Sequence, residues 1–388
     1  MALENRKQLT ALGQFCGVEV LSPASWHEGM THFDFCESTI EGENWNLHYL
    51  PERRIPGLPQ SQYFLPGLKK RIKTINPQII HIESDPWTTF AAQAIHARNS
   101  AMPTLPVVCT AKQNTYTTRG GIRDRIKNSL GSWGTENTAR FIAVTPKVRD
   151  IYRQRFGVPP QSFDLSTHLG VDTDLFCPVT RQESFSIRQR LLDGNIAENA
   201  ILVGYCGRLE KYKGVTDLID AVESARSGAS YDIRLALLGS GSLKAELISK
   251  SKSSPWLSVH DHVPHAQVAS FMQALDLFVM PAQKSRFHEE HDAHAVIEAL
   301  SCGLHCIGTD SGAIPGVLRD PEIIVPAGDW RQLAERLQEI VVKFSRQVDH
   351  QINAVARERI INAYSIEAVA RNSYSTYLKA IKSWNGRR

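Results

Sequence analysis

The sequence predicts an α/β protein built from two parallel-sheet domains, and three observations carry that expectation. A chain of 388 residues exceeds one ordinary α/β domain and suits about two. Short apolar runs alternate with amphipathic stretches along most of its length, the rhythm of parallel strands joined by crossover helices. Glycines and polar residues cluster just beyond the apolar runs, where open α/β sheets bind ligands. The composition, 42% hydrophobic and 22% charged, is that of a globular protein. With no apolar run near ~20 residues and no signal-peptide core, the expected compartment is the cytoplasm. Seven cysteines without a CxxC pair fit reduced thiols better than a disulfide framework or zinc site.

The elements follow in order. Asn5–Phe15 reads as a helix and Gly17–Pro23 as the strand after it. A parallel α/β domain normally opens on a strand, so the expected first strand of the N-terminal domain has no counterpart here. Pro66–Thr74 reads as a helix with its proline in the first turn, and Pro77–Asp85 as a buried strand ending in acidic residues. Helix Thr88–Ser100, strand Leu105–Ala111, strand Arg140–Pro146 and helix Lys147–Gly157 continue the pattern. Glu83, Asp85, Lys112, Gln113 and Asn114 fall at or just past strand ends. A junction follows at His168–Pro178, then a polar segment, Val179–Asn199.

Charge is uneven. Between Arg53 and Arg155 there are 17 Lys/Arg against 5 Asp/Glu, concentrated in Pro66–Lys73 and Arg119–Lys127. Apolar residues interleave the basic ones, a pattern that suits an amphipathic helix on an anionic membrane surface or, more simply, a solvated basic face. No nucleic-acid-binding motif accompanies the charge, so nucleic acid is not an expected partner.

The second half starts with a buried strand, Ile201–Tyr205. The turn beyond it holds Gly207, Arg208 and Lys213 before a helix that begins at Val215. Two cations at a parallel strand's C-terminal end, beside a helix N-terminus, form an anion site that requires no metal. Ile233–Leu247 is a strand with a Gly239-Ser-Gly241 turn. It lacks the third glycine of the dinucleotide fingerprint, which argues against a dehydrogenase. Trp256–Pro264, a helix over Ala266–Leu275, and the strand-turn of His305–Leu318 follow. Glu322–Asp329 is the last strand, and Ser365–Ile381 a terminal helix with Ile366, Val369, Tyr374, Tyr377 and Leu378 in register for packing.

Between them lies the stretch that organises the rest, Leu277–Gly303. It reads as strand, polar loop, and a helix N-capped by Asp292 and closed by Gly303. Glu298 stands among apolar residues of that helix, so a cation or a ligand hydroxyl should meet it. Glu290 precedes it by eight positions. On one helix that is roughly 12 Å of axis, too wide for the ~5–9.5 Å of a hydrolytic pair. An extended ligand fits better, such as a nucleotide diphosphate joined to a polar group, its anion at the helix N-terminus.

Taken together, GRLEKYKG, LLGSGSL, Glu290 and Glu298 followed by ALSCG, and TDSGAIP, in this order and at these intervals, resemble the retaining glycosyltransferases of group 1, with the GT-B fold. The likeness is concentrated in Ala200–Asp329. In the first half it rests on IIHIESDPW, FIAVTP and HLGVDTDLF. The resemblance implies two Rossmann-like domains facing a central cleft: residues 1–177 binding the acceptor, 178–360 binding the nucleotide sugar, and a helix over 361–388 packing back across the first domain. It implies that Arg208 and Lys213 hold the donor diphosphate and stabilise its departure. Glu298 would accept hydrogen bonds from the ribose, and Glu290, with the loop of His291, Asp292, Ala293 and His294, would orient the sugar. Glu83, Lys112 and Gln113 become acceptor-side candidates. Such enzymes use no metal or other cofactor, retain anomeric configuration, and move a hexosyl group onto a glycan or lipid-linked acceptor near the inner face of a membrane.

The sequence also departs from the family. His291-Asp292-Ala293 replaces the usual Gly- or Phe-containing tripeptide, Gly316 replaces a Glu after the TDSGAIP proline, and Lys112 and Gln113 stand where an active-site His is common. These departures keep open a second class, a GT-B-shaped protein that binds a nucleotide or sugar without turnover. A metal site would draw on His288, on His291 with Glu289 or Asp292, and on His294 with Glu298, one helical turn apart. No HExxH pattern supports it.

Overall fold

The structure, a computed structural model, describes residues 6–28, 31–35, 38–54, 62–115, 120–194, 196–227, 231–285, 289–346 and 352–385. Asn5, Arg119 and His288, used in the sequence reading, lie outside them. The chain divides into two compact units, Met1–Gly170 with Ile366–Arg388, and Val171–Ser365.

The first unit opens with α1 (Arg6–Gly13) and β1 (Val18–Pro23), where the periodicity predicts them. The stretch after them, unassigned from the sequence, folds as antiparallel pairs: β2 (Ser25–Glu28) with β3 (Thr31–Asp34), β4 (Ser38–Gly42) with β5 (Trp45–Leu50), and β6 (Arg53–Arg54) with β7 (Tyr63–Phe64). In β5, Trp45, Leu47 and Tyr49 are buried while Asn46 and His48 are half-buried, a period of two. β1 pairs with β5 in parallel, giving the order β1-β5-β4.

A separate four-stranded sheet carries the α/β rhythm. Its elements are α2 (Leu68–Ile75), β8 (Ile80–Ile82), α3 (Thr89–Ala101), β9 (Val107–Ala111), α4 (Ile122–Glu136), β10 (Arg140–Ala143), α5 (Pro146–Phe156) and β11 (Phe163–Leu165). Its strands run parallel in the order β11-β10-β9-β8. Two expectations need correction. α2 begins behind Gly67, so Pro66 precedes the helix instead of occupying its first turn. β8 is a three-residue strand, partly exposed, and among the described residues it forms the edge of its sheet.

The basic segments differ in what their apolar residues do. In α2, Leu68 and Ile72 are buried in the core, so its lysines form a solvated face. In α4, Ile122 and Ile126 are 75% and 55% exposed, with Arg125 exposed between them. Among the described residues no helix is long and apolar enough to cross a membrane.

The first helix of the second unit is α6 (Arg181–Leu191), within the polar segment Val179–Asn199. Thr180 and Glu183 form a reciprocal capping box that starts it. Then come β12 (Ile201–Cys206), α7 (Val215–Ser227), β13 (Ile233–Leu238), α8 (Lys244–Ser253), β14 (Leu257–His260), α9 (His265–Gln273), β15 (Leu277–Met280), α10 (His294–Ser301), β16 (His305–Thr309), α11 (Ile314–Leu318), β17 (Ile324–Val325), α12 (Trp330–Arg346) and α13 (Ala354–Tyr364). The six strands are parallel in the order β14-β13-β12-β15-β16-β17, so the direction of winding reverses between β12 and β15. That reversal opens a crevice at the strands' C-terminal ends. At the opposite end a buried ion pair anchors α6: Arg188 reaches Asp276 at 2.5 Å, and Asp276 accepts the Leu202 N–H at 2.8 Å.

The last helix, α14 (Ile366–Asn385), completes the first unit. Its Ile366, Ala370, Tyr377 and Ala380 pack with Ala11 and Leu12 of α1. Leu378, expected on the packed face, is instead half exposed.

Candidate functional site

The reversal of strand order decides which residues meet. The loop after β12 carries Gly207, Arg208 and the one-turn helix Lys211–Lys213, and the loop after β15 carries Glu290. They stand on either side of the crevice. Main-chain contacts fix these loops to their neighbours. The Leu209 N–H donates to Ser240 O at 2.8 Å, and Gly207 N–H to Leu238 O at 3.0 Å. A Cβ on Gly239 would collide with the Gly207 carbonyl. On the other side, Ala313 N–H donates to Glu290 O at 3.0 Å, Glu290 N–H to Ser311 Oγ at 3.2 Å, and Ser311 Oγ to Gln283 O at 3.0 Å. Gly312 has φ 54°, and a Cβ there would collide with the Glu290 carbonyl. The GSGS and TDSGAIP turns are therefore glycine-bearing because they lie against the backbone of the site loops.

Lys213 and Glu290 come together: Nζ donates to Oε2 at 2.7 Å, both side chains being largely buried. Arg208 is exposed and lies 5.4 Å from the Tyr212 ring, while Lys213 lies 5.8 Å from the same ring. Both cations are thus attracted to one aromatic ring. Tyr205 sits beneath, fully buried, its hydroxyl donating to Arg208 O at 2.8 Å. Burial, reinforced by the Glu290 charge, pushes the Tyr205 hydroxyl far up, so it stays a neutral donor.

The helix expected to be capped by Asp292 begins differently. The N-cap of α10 is Ala293, in the left-handed conformation at φ 51°, whose methyl side chain can accept no capping hydrogen bond. Asp292 falls one residue outside, because the left-handed turn at Ala293 sets the helix start. The first turn of an α-helix carries N–H groups with no partner inside the helix, the usual seat for an anion. Its other end behaves as the sequence predicts. Gly303, at φ 77°, follows Cys302, and Leu304 N–H returns to Ala299 O at 3.1 Å.

Glu298 is 4% exposed, and the cation or hydroxyl expected beside it is supplied in part by a residue the sequence reading did not select. His265, the first residue of α9, meets Glu298 Oε1 through Nε2 at 2.5 Å. His294 Nε2 lies 3.5 Å from the same oxygen. The thiols of Cys206 and Cys302 are both pushed up, first by burial and then by the Glu298 charge, which places that carboxylate beside the end of β12. Nothing in the spacing of His265 and Glu298, 33 residues apart, marks the pair in advance. The ligand atoms of His265, His294 and Glu298 lie within 4.8 Å of one another. That group differs from the expected metal set, since His291 is exposed and neither it nor Asp292 joins the cluster.

In the first unit the strand ends gather Glu83, Asp85, Lys112 and Gln113. Glu83 is exposed, with His81, Lys112 and His168 around it. Asp85 is buried and accepts from Tyr152 Oη at 2.6 Å and Lys112 N–H at 3.2 Å. Burial pushes its carboxyl up, against those two hydrogen bonds. Asn114, also buried, accepts from Thr145 Oγ1 at 2.8 Å. Asp85 and Asn114 are thus committed to framework contacts, leaving Glu83, Lys112 and Gln113 nearer the surface. Tyr205 and Trp87 are core residues.

A family model described as glycosyl transferases group 1 matches residues 191–358, and one described as glycosyltransferase family 4 matches residues 14–175. The chain is 25% identical over 294 residues to TuaC of Bacillus subtilis (strain 168), a glycosyltransferase assigned to teichuronic acid biosynthesis, covering 74% of this chain and 65% of that one. It is 26% identical over 187 residues to CapM of Staphylococcus aureus, a capsular polysaccharide biosynthesis glycosyltransferase, covering 46% and 47% respectively. The match therefore spans less than two thirds of either relative. Among solved structures, Anabaena Alr3699/HepE in complex with UDP shares the fold, with a TM-score of 0.64 at 16% identity, over 80% of this chain and 82% of that one.

Proposed function

Since the chain belongs to the group 1 glycosyl transferases, with the GT-B fold, we propose that it moves a hexosyl group from a nucleoside-diphosphate sugar to a glycan or lipid-linked acceptor, with retention and without a metal. The observation that carries this reading is the convergence of Arg208, Lys213, Glu290 and the N-terminus of α10 at the reversal of strand order. Cations and helix N–H groups suit a diphosphate, whose charge rises as the bond to the sugar breaks. On donor arrival Lys213 exchanges a carboxylate for phosphate, which frees Glu290 to face the sugar hydroxyls. Glu298 takes the ribose. The acceptor hydroxyl adds to the anomeric carbon on the face from which the diphosphate leaves, and its proton passes to the departing phosphate oxygen. Two relatives are named for polysaccharide synthesis, and a structural neighbour holds UDP, which supports a nucleotide-sugar donor and a polysaccharide or glycolipid product.

The test is calorimetric titration with UDP, GDP, ADP and their sugar conjugates in EDTA. Saturable binding with one base preferred, weakened by Arg208→Ala, is the expected result. No binding of any of them at millimolar concentration would overturn the reading.

We assign the cytoplasmic face of an anionic membrane as the working surface, on the exposed Ile122 and Ile126 beside Arg125. Replacing both isoleucines with Asp should release the protein from vesicles containing anionic lipid in a flotation assay, with nucleotide binding unchanged. Equal flotation of the variant would remove this surface from the proposal.

A further inference from the structure

Glu298 is held in place by a residue from another element, and the manner of holding leaves one of its oxygens available. Among the described residues, its contacts with His265 and His294 both involve Oε1. The two imidazoles are not equivalent. His265 makes a 2.5 Å contact, short enough for a charge-assisted hydrogen bond. His294 stays at 3.5 Å, at the outer limit of hydrogen bonding, and its buried Nδ1 has no partner. The His265 ring is in turn fixed. It packs 5.2 Å from the ring of Phe176, which is fully buried and whose carbonyl accepts from Ser301 Oγ at 2.6 Å and from Arg357 at 3.1 Å.

We infer that His265 is a positioning residue for donor recognition: by holding Oε1 of Glu298 it aims Oε2 at the ribose hydroxyls, and so sets the preference for a ribonucleotide donor. This rests on the reading of Glu298 as the ribose contact. Lacking its donor, a carboxylate buried to this degree would turn toward His294, and that rotation removes the acceptor that a ribose needs. A site built to hydrogen-bond a hydroxyl discriminates strongly against the analogue that lacks it, so the effect of His265 should show as a lost ratio and not only as weaker binding.

The experiment is calorimetry in EDTA with UDP, GDP and ADP, and then with the preferred nucleotide and its 2′,3′-dideoxy counterpart. Wild type should bind the ribonucleotide about 10-fold or more tighter than the dideoxy form, the scale of a hydrogen bond to a charged group. His265→Ala should lose that ratio while leaving dideoxy affinity nearly unchanged. His265→Gln, whose amide N–H can reach Oε1, should recover part of it. A full ratio in His265→Ala would overturn the inference. So would tight Zn2+ binding to the nucleotide-free protein that His265→Ala abolishes, since the three side chains would then be a metal site. Failure of the underlying reading looks different: Glu298→Ala would keep the wild-type ratio, or wild type would show none.

Discussion

The two parallel sheets of this chain end in rims built from different materials. In the second unit the loops after β12 and β15 are held mainly by backbone, with Ser311 Oγ as a side-chain brace: Leu209 to Ser240, Gly207 to Leu238, Glu290 to Ala313, with Gly239 and Gly312 allowing main chain to lie against main chain. In the first unit the strand ends are held by side chains. Asp85 is fixed by Tyr152, Asn114 by Thr145, and His81 bridges Thr110 at 2.7 Å and Tyr377 at 2.8 Å. A backbone-built rim presents the same geometry to phosphate and ribose whatever the sugar. One built from side chains can be altered residue by residue, as acceptors differ.

The largest expected effect separates the rims by function. Arg208→Ala should lower turnover about 10²–10³-fold, the scale of losing one preorganised charge at a departing anion. Glu83→Ala should raise the acceptor KM and leave nucleoside-diphosphate affinity unchanged, as measured by calorimetry on the same preparations. If Glu83→Ala weakens nucleotide binding as much as Arg208→Ala does, the division of labour between the rims is wrong.

Next is the backbone itself. Gly312→Ala forces a Cβ into the Glu290 carbonyl at φ 54°, and overpacking of that kind costs about 1–3 kcal/mol beyond the strain of the conformation. Gly67→Ala, at φ 76° in open space, carries only the conformational cost of about 1–2 kcal/mol. Urea unfolding should rank the two in that order, with activity lost only in the Gly312 variant. Equal destabilisation would mean that the close approach at Gly312 contributes nothing.

The same contrast explains what could be read in advance. Arg208, Lys213, Glu290 and Glu298 were legible because their positions are set by glycines and strand ends a few residues away. The loops that brace them carry their own glycines, and the four motifs keep their order. The sequence points to Asp292 instead of Ala293 as the helix start because a left-handed alanine leaves no compositional trace, whereas a capping aspartate does. α6 is marked only by Thr180 and Glu183, and β5 only by its alternation, signals that their polar neighbours mask. His265 with Glu298, Asp85 with Tyr152 and His81 with Tyr377 were not legible at all. Their members lie 33, 67 and 296 residues apart, and only the folded chain joins them.

The smallest effect tests whether the first unit's network is as dependent on side-chain chemistry as it looks. Burial lowers the proton affinity of His81 below its ordinary value near 6.5, so the folded unit keeps the ring neutral where the unfolded chain protonates it. Below pH 6.5 the unfolded state binds more protons, so stability must fall as pH falls, until the depressed folded value is reached. One such group contributes at most about 1.4 kcal/mol per pH unit. His81→Gln retains a hydrogen-bonding side chain between Thr110 and Tyr377 without a titrating ring. Its unfolding free energy should therefore be flatter than wild type between pH 6.5 and 5, while the two converge in slope above pH 7. Parallel curves across the whole range would mean that His81 is not held neutral by the fold, and that the first unit's rim is less chemically specialised than its hydrogen bonds imply.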